Sequence, residues 1–131
     1  MTAEVERTGE GLREGPLSGV RVLDLTHIIV GPYCTKLLGD MGAEIIKVES
    51  PSGDGARDFG VRRNPGMGAN FMIFNRNKRS IALDLKSEAG YDVLCRLARH
   101  SGHVWAAQRP TDASPIAPRD CRTNQRFVRG C

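Results

Sequence analysis

Three stretches of the 131-residue chain gather residue types that could do chemistry. In the first, THIIVGP at 26–32 follows the apolar run VRVLDL and precedes Cys34, Leu37, Leu38 and Met41 at helical spacing. A strand that feeds a helix start in this way leaves main-chain N–H groups unpaired, a setting that suits phosphate or carboxylate. In open α/β sheets ligands collect at the carboxyl ends of the strands, where this loop would lie. Only Gly31 remains of the three glycines in a dinucleotide fingerprint, so NAD binding is poorly supported, and a plain tight turn would also suffice. His27, alone on a loop, reads as a satisfied side chain rather than a catalyst.

The second stretch, NRNKRS at 75–80, places Arg76, Lys78 and Arg79 within four positions beside two Asn and a Ser. Such cations suit phosphate oxygens, and a solvated turn accounts for them equally well. Lys86 adds a further cation. The third, GDGARDFG at 53–60, joins flexible Gly to Arg57 and Phe59 within the long loop 50–68, a candidate lid or ligand platform. No Ser/His/Asp order, HExxH, phosphate loop or paired carboxylates can be read. Taken alone, these residues indicate an α/β domain able to bind a phosphorylated ligand.

The elements that must position them follow from periodicity. Strands are predicted at 20–25, 44–48, 81–83 and 103–106, with helices over 32–41 and 87–99 and a short helix or turn at 69–74. Strand, helix and strand within about thirty residues imply a parallel pair. The predicted fold class is therefore α/β, a Rossmann-like βαβ open parallel sheet. Residues 1–16 read as a polar leader and 17–106 as the α/β body. Residues 107–131 carry three Pro between 110 and 118 and no apolar period, so they read as an irregular, divergent tail.

Composition sets the outer bounds. Hydrophobic residues at 40% and charged residues at 26% fit a globular chain, and aromatics at 5% require an aliphatic core. No apolar run reaches the length of a membrane span, and the first fourteen residues resemble neither a secretory nor a transit signal, so a cytoplasmic location with no membrane partner is expected. The net charge of +4 is concentrated in residues 109–131, which hold five Arg and two Asp. No basic face interleaved with aromatics results, and nucleic acid is not expected as a partner. Four cysteines without zinc spacing predict neither a metal site nor a structural disulfide in a reducing compartment.

In order and spacing, LDLTHIIVGP, LGDMGAEIIKVE and NRNKRSIALDLK together resemble the N-terminal segment of family III CoA-transferases, over about Pro16 to Leu97. The resemblance implies the N-terminal part of a larger doubly wound domain, a homodimer of interlocked full-length chains, and acyl-CoA and a carboxylic acid as substrates. No permanently bound cofactor is expected, since the coenzyme A thioester is itself a substrate. It also implies an Asp that attacks the thioester to give an aspartyl anhydride. The CoA contacts of formyl-CoA transferases in the family map onto Ile28, Ile29 and Val30, and onto Leu83, Asp84, Leu85 and Lys86. Ile29 stands where those enzymes carry an active-site Gln, which points to an acid other than formate or oxalate. Ser50 stands where they carry a basic residue near the phosphates.

Beyond Leu97 the likeness is expected to decay. SGHVWAAQRPT replaces the family's ADVLVENFRPG, with Ala107 and Gln108 in place of the Asn-Phe pair that lines CoA. The nucleophilic Asp is expected beyond Cys131, and Asp112 and Asp120 do not replace it. A fragment produced by truncation or a frameshift near residue 100, inactive alone, is the expected product. The alternative is a non-catalytic CoA- or nucleotide-binding module that needs a separate partner chain.

Overall fold

The computed structural model describes residues 15–101, 103–106 and 127–129. Successive side chains of a strand point to opposite faces. β1 (Arg21–Asp24) accordingly sends Val22 and Asp24 one way and Leu23 the other, all three buried. α1 (Val30–Asp40) crosses to β2 (Glu44–Glu49), which runs parallel to β1 with Val22 opposite Ile45 and Asp24 opposite Lys47. A 3-10 helix (Gly55–Asp58), α2 (Ala69–Asn75) and β3 (Lys78–Ala82) come next. α3 (Glu88–His100) then leads to β4 (His103–Ala106) and β5 (Phe127–Arg129).

The five strands lie in the order β3-β2-β1-β4-β5 and every pair is parallel. This is the order of a doubly wound Rossmann-like sheet, with its topological switch point between β1 and β4. The expected α/β class is what the structure shows.

Each face of the sheet has its own core. Leu23 and Val48 pack with Leu94 and Ala98 of α3, joined by Leu25, Ile46, Ile81, Leu83 and Leu85. On the opposite face Val22, Ala43 and Ile45 pack with Leu38 of α1 and with Leu17 and Val20. The helix stripe read from sequence is only half used: Leu38 faces the sheet, while Leu37 and Met41 stay exposed, as do the neighbouring Tyr33 and Met72 and Ile73 of α2. Tyr33 meets Phe74 edge to face, with ring centroids 6.0 Å apart, so the two helices share one outer apolar surface.

Several boundaries differ from expectation. β3 begins at Lys78 rather than Ile81, because the polar residues of NKRS find buried acceptors and therefore sit within the sheet. α3 begins at Glu88, with Ser87 as its cap accepting the Gly90 N–H at 3.1 Å. Gly39 stands one residue before the end of α1. It is buried where the Asn77 side chain docks on α1, and an added Cβ would lie 2.7 Å from Asn77 Nδ2. In the tail, Phe127–Arg129 is a strand rather than coil, since parallel pairing with β4 satisfies its main chain. Cys34 is free, whereas Cys95 is disulfide-bonded. That overturns the expectation of no disulfide, because pairing depends on approach in space rather than on spacing in sequence.

Truncating the central core residue should be costly. Leu23→Ala is expected to destabilise the chain by about 2–5 kcal/mol, read as a lower urea midpoint with the slope unchanged.

Candidate functional site

The loop after β1 emerges at the switch point, where a polar network ties it down from below. Asp24, fully buried, takes four donors. Oδ1 accepts from Thr26 N–H (2.9 Å) and Oγ1 (2.5 Å), and Oδ2 accepts from Thr35 Oγ1 (2.7 Å) and Lys78 Nζ (2.9 Å). Lys78 Nζ also donates to the Pro32 carbonyl and to Thr35 Oγ1, at 2.9 and 2.8 Å. One strand over, Lys47 Nζ donates to the Thr26 carbonyl (2.8 Å) and forms an ion pair with Asp54 Oδ2 (2.8 Å). Asp54 Oδ1 accepts from Ile28 N–H (3.2 Å) and Ala56 N–H (2.9 Å), and its own N–H donates to Glu49 Oε2 at 3.0 Å.

Glu49 completes the series. Arg57 grips both of its oxygens at 2.7 Å, Ser80 Oγ donates to Oε1 at 2.5 Å, and the guanidinium lies 3.8 Å from the centroid of the Phe71 ring. Three carboxylates and three cations thus form one network on the sheet face that α1 covers, with Asp24 and Glu49 at the carboxyl ends of β1 and β2 and Lys78 reaching in from the start of β3.

The electrostatics follow from these partners. Burial alone would raise the pKa of Asp24, but the Lys78 charge and the bonds from Thr26, Thr35 and Lys78 outweigh it and hold the carboxyl below its ordinary range. Glu49 is likewise lowered against burial, by Arg57, Ser80 and the Asp54 amide. Asp54 is lowered against burial by Lys47 and by the Ala56 and Ile28 amides. Burial pulls the Lys78 ammonium below its usual value, with Asp24 opposing.

The predicted site residues fall into two groups. Ile28, Ile29 and Val30 stand exposed at the switch point, Val30 at 67%. Ile28 has φ +68°, the left-handed region, which for a β-branched side chain costs on the order of 1–3 kcal/mol. Leu83–Lys86 follows β3 on the same edge, with the turn after β2 between the two groups. There Leu83 and Leu85 turn into the α3-side core, while Asp84 shapes the turn by accepting from Lys86 N–H at 3.0 Å and from Ser87 N–H at 3.1 Å. Lys86 is exposed. Among the described residues no hydrogen bond joins the two groups.

NRNKRS does not act as one cationic cluster. Arg76 pairs with Asp40 at 2.7 Å, Lys78 with Asp24, and Arg79 with Glu44 at 3.1 Å. Arg57, offered by sequence as part of a ligand platform, faces Glu49 instead, whereas Phe59 is exposed. Ser50 bonds within its own turn, to Ser52 and the Gly53 carbonyl, and His27 is exposed. Ala107, Gln108, Asp112 and Asp120 lie outside the described residues. Sequence reasoning missed Asp24, Lys47, Glu49 and Asp54. Their signal was charge inside apolar strands, VLDL and EIIKVE, since a buried charge requires a partner.

Removing one partner of such a pair leaves the other buried and uncompensated. Lys78→Met is expected to cost about 3–5 kcal/mol of stability by urea denaturation, and the Asp24→Asn/Lys78→Met pair clearly less. The lowered carboxyls contribute stability above their unfolded pKa values and lose it as pH falls through the folded ones. Stability should therefore decline below about pH 4, followed as the urea midpoint against pH.

Comparison with known proteins places this arrangement. The sequence matches CoA-transferase family III over residues 17–123, well past Leu97, where the likeness was expected to fade. It is 46% identical over 84 residues to mouse succinyl-CoA:glutarate CoA-transferase, covering 63% of this chain and 19% of that protein. It is 45% identical over 86 residues to formyl-CoA:oxalate CoA-transferase of Streptomyces coelicolor, covering 65% of this chain and 21% of that protein. The crystal structure of the hypothetical protein Rv3272 from Mycobacterium tuberculosis superposes with a TM-score of 0.72 at 37% identity, over 86% of this chain and 31% of that one. The chain thus spans about a fifth of the curated relatives quoted and under a third of that solved one. With that match over most of its length, and a parallel sheet shared with a solved relative, the chain belongs to CoA-transferase family III.

Proposed function

We propose that this chain is the N-terminal, CoA-contacting part of an enzyme that moves CoA between an acyl-CoA thioester and a carboxylic acid. Ile28, Ile29 and Val30 meet the CoA thioester at the switch point, and Leu83–Lys86 borders the adenine side, with Lys86 as its exposed cation. The supporting observation is the placement of both segments on the carboxyl edge of one parallel sheet, with Ile28–Val30 exposed there.

In the proposed chemistry an Asp carboxylate oxygen attacks the thioester carbonyl carbon. The C–S bond breaks, CoA leaves as thiolate, and an aspartyl anhydride retains the acyl group. The thiolate returns to the aspartyl carbonyl and expels the donor acid, leaving an aspartyl-CoA thioester. The acceptor carboxylate then displaces the thiolate to form a second anhydride, and attack of the thiolate on the acceptor's acyl carbon gives the new acyl-CoA and frees the Asp.

The attacking Asp is proposed to lie outside this chain, which is then inactive alone. In support, Asp24, Glu49 and Asp54 at this edge are buried and committed to cations, so none is free to attack a thioester. The active unit is proposed to be a cytoplasmic homodimer of full-length chains. Among the described residues no helix is long and apolar enough to cross a membrane.

The pure 131-residue chain should therefore exchange CoA between succinyl-CoA and a dicarboxylic acid no faster than buffer, followed by chromatography of the thioesters. A chain extended with the family's remaining segments should restore turnover, and exchange by the short chain alone would overturn this reading. CoA titration of the short chain should move the amide resonances of residues 28–30 and 86. Lys86→Ala should weaken that binding about two- to fivefold, as expected for one exposed charge.

A further inference from the structure

Ile28 is the one non-glycine residue with positive φ among the described residues. Its local sequence, Ile-Ile-Val, opposes that conformation, since β-branched side chains avoid it. Something outside the loop must therefore impose it. Asp54 is twenty-six residues away in sequence and fully buried beneath the loop, and it accepts the Ile28 N–H. Around this bond every neighbour is itself fixed. The Thr26 carbonyl is held by Lys47 at 2.8 Å, and the same ammonium pairs with Asp54. Gly31 lies against Thr26 so closely that a Cβ would come within 2.3 Å of it. At Gly55 a Cβ would stand 3.2 Å from Ile28 Cδ1, so the side chain is seated on the Asp54 turn as well.

We propose that Asp54 is a positioning residue whose carboxylate holds the Ile28 peptide left-handed and so presents Ile28, Ile29 and Val30 to CoA as one preformed surface. This rests on the reading of 28–30 as a CoA-contacting loop. Asp54 touches no substrate. Its carboxylate is the acceptor that makes a strained loop conformation the stable one, and Lys47 keeps it ionised and in place. Without it Ile28 relaxes to negative φ, and the three side chains no longer project together.

The test uses magnetic resonance on the isotope-labelled chain, in the wild type, Asp54→Ala, Ile28→Gly and Ile28→Gly/Asp54→Ala. The wild type should give the strong intraresidue HN–Hα cross-peak of a left-handed residue at Ile28. Asp54→Ala should lose it, with the Ile28 amide exchanging at least about tenfold faster while those of Val22 and Ile45 keep their rates. CoA affinity should fall about tenfold in the same variant, the size of one lost charge-assisted bond. Glycine reaches positive φ unaided, so Ile28→Gly and the double variant should bind CoA alike, whatever loss of the Ile28 side chain itself costs.

Retention of the cross-peak and of CoA affinity in Asp54→Ala overturns the proposal, as does an undiminished loss of affinity when Asp54→Ala is added to Ile28→Gly. If Asp54→Ala does not fold because Lys47 is left uncompensated, Lys47→Met/Asp54→Ala removes both charges and carries the same readouts, compared with and without Ile28→Gly. If CoA leaves the wild-type amides of 28–30 unmoved, the CoA reading of the loop is what fails. The cross-peak and exchange at Ile28 then still decide whether Asp54 sets its conformation.

Discussion

Buried carboxylates held by cations are the constraint on which this structure rests. Asp24 with Lys78, Lys47 with Asp54 and Glu49 with Arg57 link β1, β2, β3 and the turn after β2 into one electrostatic unit. Each acid is supplied with further N–H or O–H donors, and that is what makes burial of the charge tolerable. The unit fixes more than the strands. Through the Thr26 carbonyl, the Ile28 amide and the Pro32 carbonyl it reaches the whole β1–α1 loop, so the segment at the switch point is shaped from beneath.

The two faces of the sheet divide the work. Under α3 the contacts are aliphatic and continuous, from Leu23 and Val48 to Leu94 and Ala98. Under α1 they are aliphatic only toward the amino edge, around Val22 and Ile45, and become ionic toward the carboxyl edge. Hydrophobic burial supplies cohesion without direction, while hydrogen-bonded ions specify geometry. The ionic half lies beneath the β1–α1 loop. The 3-10 helix belongs to the same arrangement: Asp54 caps it, and its Arg57 carries the network on to Phe71 of α2.

The legible parts of the fold were those with a local period. VRVLDL, the apolar stripe around Leu38 and EIIKV announce a βαβ unit by themselves, and Ser87 three residues before Gly90 marks the start of α3. The start of β3 was not legible, because Lys78 reads as a solvated cation unless its acceptor is known, and Asp24 stands fifty-four residues earlier. β5 is three residues long and owes its form to β4 rather than to any pattern of its own. At the site, the loop 28–30 was found through family resemblance. Its left-handed Ile28 ran against every local preference and could be understood only with Asp54 beneath it. Lys47, flanked by Ile46 and Val48 in a parallel strand, was the one readable hint that such a partner had to exist.

The buried pairs also shape how such a chain can drift. At an exposed position one substitution at a time is nearly neutral, but Lys47 and Asp54, or Lys78 and Asp24, cannot be exchanged singly without stranding a charge. Change at these positions must come in couples, or pass through an intermediate too unstable to persist. In a set of diverged relatives, residues 47 and 54 should therefore vary together or not at all, and likewise 24 and 78. Each couple would be a signature of three-dimensional contact written in one-dimensional text.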